Sequence, residues 1–373
     1  MSDRKIPLMK PTLAPWETVA DRFRAVYESG TLTLGGFTRA FEEAAAAALD
    51  VRHVVAVSSC TSGMMLLFRA LELRGQVVMP SFTWASTGHA ALWNNLEPVF
   101  ADCAPGTYTL DPDRVAELIG PNTAAVMAVN VFGLYPDMDA LRAVCAARDL
   151  PFLCDSAQGI GATYRGRVGG ALADAEVFSL SPTKVVTAAE GGLVTTNDPV
   201  LAERIRRMRD YGKSPDARDI EILGLSARMS EFHAVVGLSC IEMLEDLLRG
   251  RDAIFARYRE ELSGIEGLTF QTIPGDCTTS GNYFIVFVDP DVRDIARLQE
   301  RLAARGVASK RYFHPPLHLQ VAYRHLPPPP RPLSVTEWAS RAGLALPIYT
   351  HMELDLVSRI AGIFREEWEG LGR

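Results

Sequence analysis

Between residues 53 and 184, short apolar runs of strand length alternate with amphipathic stretches of helical period, and this alternation leaves few architectures open. The expected strands cover 53–58, 76–80, 98–102, 124–129 and 151–155, followed by the run Val177-Phe178-Ser179-Leu180. Helical stretches fall between them, at 59–71, 81–93, 113–119 and 139–148. Such a chain is α/β: a mostly parallel central sheet flanked by helices on both faces. Further helices are expected at 16–27, ended by Ser29-Gly30, and at 37–49, 200–211 and 228–248. Beyond residue 260 the texture changes: strands near 268–272 and 283–288, then helices at 294–305, 338–344 and 354–371. A chain of 373 residues exceeds one ordinary core. Two domains are therefore expected, residues 1–248 with an N-terminal arm and the large sheet, and 249–373 as a smaller α+β unit.

Ligands bind open α/β sheets at the carboxyl ends of the strands, and here that edge collects Thr61, Trp84, Asp155 and Lys184. Asp155 ends one apolar strand; Lys184 follows the next, in Ser181-Pro182-Thr183-Lys184. An acid and a lysine so placed are what pyridoxal 5'-phosphate (PLP) requires. The lysine forms a Schiff base with the cofactor aldehyde, and the acid keeps the pyridine nitrogen protonated so that the ring accepts carbanion electrons. Ser59-Cys60-Thr61-Ser62-Gly63 opens a helix after a strand, which reads either as a plain N-cap or as an anion site. Trp84 reads either as core or as an aromatic stacked on a planar ring. Gly159-Ile160-Gly161 is not a dinucleotide fingerprint, because the acid precedes the glycines and 162–170 is too rich in glycine and arginine for the required helix.

A net charge of −7 without a basic cluster argues against nucleic acid or an anionic membrane surface as partner. Residues 1–10 lack an apolar signal core and no run approaches a membrane span, so the expected compartment is the cytoplasm. The cysteines, Cys60, Cys103, Cys145, Cys154, Cys240 and Cys277, form no metal or CxxC spacing and read as small buried apolar residues in a reducing compartment. His314 and His318 stand four apart, but Pro315 and Pro316 between them exclude a helical metal pair.

The chain also resembles the DegT/DnrJ/EryC1/StrS family of sugar aminotransferases, PLP enzymes of fold type I. The resemblance runs from Thr33-Leu34-Gly35 through Ser59-Cys60-Thr61-Ser62, Pro80-Ser81-Phe82-Thr83-Trp84, Phe132-Gly133, Asp155-Ser156-Ala157-Gln158, Ser179-Leu180-Ser181-Pro182-Thr183-Lys184, Glu190-Gly191-Gly192 and Arg228-Met229-Ser230-Glu231 to Pro316-Leu317-His318. It implies Lys184 as the Schiff-base lysine and proton shuttle, Asp155 at the pyridine nitrogen, Gln158 beside the ring hydroxyl and Trp84 stacked on the ring. Thr61, Ser62 and Ser179 match the phosphate contacts. Ser226 falls where the partner subunit completes the phosphate cup, which implies a homodimer with shared active sites.

The implied reaction moves an amino group from glutamate or glutamine to a small-molecule ketone, foremost a nucleotide-linked keto-sugar in secondary-metabolite or polysaccharide biosynthesis. Cys60 stands where glycine is common, Asn130 where histidine is common, and Ser226 where asparagine is common. These departures leave open a cyclitol or other natural-product substrate, or decarboxylation, elimination or condensation in place of transamination, or a regulatory role without turnover.

Overall fold

A computed structural model describes residues 5–371; residues 1–4, part of the segment read as lacking a signal core, and residues 372–373 lie outside it. The first half of the chain runs α1 (Trp16–Ser29), α2 (Gly36–Ala48), β1 (His53–Val57), α3 (Cys60–Ala70), β2 (Gln76–Pro80), α4 (Ala85–Trp93), β3 (Glu97–Ala101), α5 (Pro112–Leu118), β4 (Thr123–Val129), α6 (Met138–Ala146) and β5 (Phe152–Asp155). Two short strands, β6 (Thr163–Tyr164) and β7 (Arg167–Val168), precede β8 (Ala175–Ser179), β9 (Gly192–Thr196) and α7 (Pro199–Met208). The second half comprises α8 (Glu231–Ile241), α9 (Leu244–Leu262), β10 (Leu268–Phe270), β11 (Cys277–Thr278), β12 (Phe284–Val288), α10 (Ile295–Ala304), α11 (Ser334–Ala342), β13 (Gly343–Leu346) and α12 (Leu354–Glu369).

The central sheet has the order β1-β9-β8-β5-β4-β2-β3. Strands β3, β2, β4, β5 and β8 pair in parallel, while β9 runs antiparallel to both β8 and β1. One reversed strand has a functional consequence. The carboxyl ends of β1, β2, β4, β5 and β8 and the amino end of β9 all reach the same edge, which brings Glu190-Gly191-Gly192 to the residues that follow the other strands. The strands are buried on both faces, as a sheet covered by two helical layers demands.

A second core gathers on the antiparallel sheet β10-β12-β13 beneath α9, α10 and α12. Ile6 packs into it, pairing with Val307, and Ile348 N–H donates to the Leu8 carbonyl, so the first described residues lie against this unit.

The structure corrects three boundaries. The helix expected over 228–248 is two helices, broken at Glu242-Met243; no glycine or proline marks the break, and it lets α8 pack on α2 while α9 packs on α12. The helix expected over 338–344 ends at Ala342, because Gly343–Leu346 pairs with β12 and tertiary pairing overrides a helical run. Helix α4 begins at Ala85, with Trp84 in extended backbone as its N-cap rather than inside the first turn.

The motifs at Gly35 and Glu231 explain one another. Glu231, 2% exposed, lays its carboxylate on the start of α2 and accepts from the N–H groups of Gly35 (2.8 Å), Phe37 (2.8 Å) and Thr38 (2.9 Å) and from the Thr38 hydroxyl. An anion at a helix N-terminus meets both the unpaired donors and the dipole. Replacing it with alanine leaves those buried donors unmet, so Glu231→Ala is expected to lose about 3 kcal/mol of stability. Denaturant unfolding of the purified variant measures that loss.

Candidate active site

The residues at the common sheet edge enclose a cavity of about 330 Å³ between the large sheet and the second core. Asp155, Gln158, Ser179, Lys184, Thr61 and Trp84 all line it. Its outer wall comes from the second unit, through Tyr283, Lys310, Tyr312 and Phe313.

Asp155 is 3% exposed at the end of β5. Its Oδ2 accepts from the Thr87 hydroxyl at 2.6 Å, which is itself hydrogen-bonded to Thr83, and its Oδ1 accepts from the Ala157 N–H at 3.1 Å. Burial pushes the carboxyl above its ordinary value, against the lowering effect of Thr87, Ala157 and the charge of Lys184. Beneath it, the fully buried Glu176 accepts from the hydroxyls of Tyr135 (2.8 Å) and Ser156 (2.6 Å) and from two backbone N–H groups, which fixes the turn after β5.

Lys184 follows β8 in a turn closed by its N–H to the Ser181 carbonyl at 3.0 Å. Its Nζ stands 5.7 Å from the centre of the Tyr283 ring. Burial alone would raise the Tyr283 phenol. The charge of Lys184, then hydrogen bonds with the Tyr312 and Thr183 hydroxyls and the charge of Lys310, outweigh burial and hold it below its ordinary value. Tyr312 goes the other way, raised by burial and by its neighbour Tyr283.

Helix α3 brings its N-terminus to the cavity. Ser59 and Ser62 form a reciprocal capping box: Ser62 N–H donates to Ser59 Oγ at 3.0 Å and Ser59 N–H to Ser62 Oγ at 3.1 Å. The Ser62 hydroxyl is thereby spent on the cap and does not line the cavity, whereas Thr61, bonded to Ser86 at 3.0 Å, does. The first N–H groups of the helix, at Cys60 and Thr61, have no acceptor within it. Gly192 makes this approach possible, since a Cβ there would stand 2.6 Å from the Cys60 nitrogen. The Cys60 thiol is buried and raised well above its ordinary value, first by burial and then by Asp155, so it is not a nucleophile at neutral pH. Ser226 lies outside the cavity, exposed and accepting from Arg228 at 3.3 Å.

Gln158 spends its Oε1 on the Phe132 N–H at 2.8 Å, leaving the donor end of its amide for the cavity. Phe132 and Gly133 are both in left-handed backbone, and a Cβ on Gly133 would lie 2.4 Å from the Ser280 hydroxyl, so only glycine fits that turn. Asn130 is fully buried on the cavity wall and neither atom of its amide has a protein partner. His314 and His318 turn to different partners, Ser340 and Ser81.

Residues 16–365 match the model of the DegT/DnrJ/EryC1/StrS aminotransferase family. The chain belongs to that family. It is 31% identical over 342 residues to the GDP-perosamine synthase of Caulobacter vibrioides, covering 89% of this chain and 90% of that protein. It is 33% identical over 344 residues to the dTDP-3-amino-3,4,6-trideoxy-alpha-D-glucose transaminase of Streptomyces venezuelae, covering 91% and 89%. The solved structure of DesI in the presence of its TDP-sugar product superposes with a TM-score of 0.92 at 35% identity, covering 97% of this chain and 93% of that one. A DegT/DnrJ/EryC1/StrS aminotransferase is a PLP-dependent transferase of nitrogenous groups, and this fold and sheet belong to that class. Among the described residues no helix is long and apolar enough to cross a membrane.

The residues present fit the cofactor. A buried acid, an amine, a helix N-terminus with free donors, and an orphaned buried amide on the same wall are the partners that a protonated pyridine, an aldehyde, a phosphate and a ring hydroxyl call for. Tyr283, Lys310 and Ser86 line the wall without having been singled out in the sequence, and Asn130, marked there only as standing where histidine is common, joins them. For Asn130 the signal was its place directly after an apolar strand.

Proposed function

We propose that this aminotransferase moves the amino group of glutamate or glutamine to the carbonyl of a nucleotide-linked keto-sugar, in two half-reactions at one cavity. The observation that carries the reading is the convergence of the Lys184 amine, the buried Asp155 carboxylate and the α3 N-terminus on a single space of about 330 Å³. The sugar-nucleotide part rests on the relatives, whose names specify GDP- and dTDP-linked sugars.

PLP supplies an aldehyde that accepts an amino group and a ring that takes up electrons as a proton leaves the neighbouring carbon. The chain's own residues do the rest. Lys184 would hold the cofactor through Nζ and would hold and return a proton at that atom. Asp155 would pair with the pyridine nitrogen and keep it protonated. The N–H groups of Cys60 and Thr61 and the Thr61 and Ser179 hydroxyls would hold the phosphate, Gln158 and Asn130 would orient the ring, and Trp84 would offer it an aromatic face. Ser226, outside its own cavity, serves the neighbouring site in a homodimer with shared active sites, as Ser226 of the partner subunit. The two units divide near residue 248, and the enzyme works in the cytoplasm on small-molecule donor and acceptor.

Absorbance of the purified protein tests the reading. It is expected to be yellow, to bleach with glutamate or glutamine, and to regain colour with a dTDP- or GDP-linked keto-sugar. A protein that stays yellow with every amino acid tried is not a transaminase. Recovery of colour with a cyclitol ketone alone would replace the sugar as acceptor.

A further inference from the structure

The cavity takes two different substrates in turn, and on the reading above both carry anionic oxygens: a carboxylate on the amino donor and a diphosphate on the keto-sugar. The wall contributed by the second unit holds one cation, Lys310. Among the described residues it makes no ion pair, unlike Lys213, which pairs with Asp210. Its ammonium rests instead on two ring faces, 4.6 Å from the centre of Tyr312 and 5.1 Å from that of Trp84.

The side chain springs from a fixed base. Lys310 N–H donates to the Ala345 carbonyl at 3.3 Å and its carbonyl accepts from Ala345 N–H at 2.8 Å, tying the backbone to β13. The segment that follows is pinned again where it returns to the end of β2: Leu317 N–H donates to the Ser81 carbonyl (3.0 Å) and His318 N–H to the Ser81 hydroxyl (3.0 Å). Ring faces hold an ammonium weakly where water reaches it, and a charge-assisted hydrogen bond to an anion is stronger. The opposing acids do not compete. Asp155 is engaged by Thr87 and Ala157, and Glu190 stands exposed in the turn before β9 and makes no ion pair with Lys310.

We infer that Lys310 is a substrate-binding residue that leaves the faces of Trp84 and Tyr312 to take an anionic oxygen of the substrate, a carboxylate or a phosphate. This rests on the aminotransferase reading for its substrates, but it makes a separate claim about binding. Because the cation belongs to the second unit while the chemistry belongs to the large sheet, it orients the substrate and leaves the proton transfers to Lys184.

Calorimetric titration of the holoenzyme with glutarate, an unreactive dicarboxylate, and with dTDP tests it in wild type, Lys310→Met, Lys310→Gln and Lys310→Arg. The neutral variants are expected to bind one probe or both about 10–100-fold more weakly, with arginine restoring most of the loss. Weakening of glutarate alone identifies the donor carboxylate; of dTDP alone, the diphosphate; of both, one subsite used in turn. Steady-state kinetics should show a raised KM with kcat little changed. Neutral variants that bind both probes as tightly as wild type overturn the inference. Should no amino donor bleach the wild-type protein, the aminotransferase reading fails while the titrations still report on Lys310.

Discussion

With Lys184 replaced by alanine, the purified protein is expected to be colourless, to retain no cofactor mass on the chain after borohydride reduction, and to transaminate at least about 10⁴-fold more slowly than wild type. The size of the effect follows from the two tasks proposed for this one amine, the covalent tie and the proton at Nζ. No second amine stands ready to substitute. Lys310, the other lysine on the cavity wall, is anchored through β13 and lies over Trp84 and Tyr312. The variant should nonetheless fold. Lys184 is half-buried and makes no ion pair among the described residues, so the stability of the cofactor-free variant is expected within about 1 kcal/mol of wild type. Thermal melting separates that outcome from a misfolded chain, and full activity in a folded Lys184→Ala protein would refute the role assigned to the lysine.

The half of this site built on the large sheet was legible because local rules decide it. An apolar strand that ends in Asp155, another that leads to Lys184, and a hydroxyl-rich turn at the start of α3 each announce themselves over a few residues. The other half depends on chain returns that no local pattern encodes. Tyr283 precedes β12 and Lys310 precedes the loop pinned at Ser81, and each reaches the cavity only because the second unit packs against the sheet edge. The same limit governs secondary structure. Gly343 and Leu344 close a helical run by composition and become strand because β12 offers them partners. The break between α8 and α9 lacks any helix-breaking residue, since it answers to two packing partners, α2 and α12. Ser62 shows a subtler case. A hydroxyl in a phosphate-binding motif and a hydroxyl in a capping box look alike in sequence, and only the reciprocal bonds with Ser59 tell which task this side chain performs in the structure.

Asp155→Asn is expected to act in opposite directions on stability and on activity. In the cofactor-free protein, burial raises the Asp155 carboxyl above its unfolded value, so the folded state holds the proton more tightly than the unfolded chain does. The stability linked to that proton is fully present below the unfolded value, about 4, and is lost as pH rises through the folded one. At neutral pH an ionised carboxylate lies buried at a net cost, and asparagine removes that cost. Its Oδ1 still accepts from Ala157 N–H, and the Thr87 hydroxyl turns its lone pair to the new amide, so the local geometry survives. The cofactor-free variant should therefore melt above wild type at neutral pH, and the difference should shrink as pH falls toward 4. With the cofactor bound the sign reverses. In the role proposed for Asp155, a neutral amide cannot hold a proton on the pyridine nitrogen, and the rate of transamination is expected to fall about 10²–10³-fold, the scale on which a buried electrostatic partner acts. Equal melting temperatures at every pH would show that Asp155 is not strained by its burial, and a retained rate would show that it does not govern the pyridine nitrogen. If both effects appear, the desolvation that makes this carboxylate costly in the empty protein is the same property that makes it a strong partner for a cation.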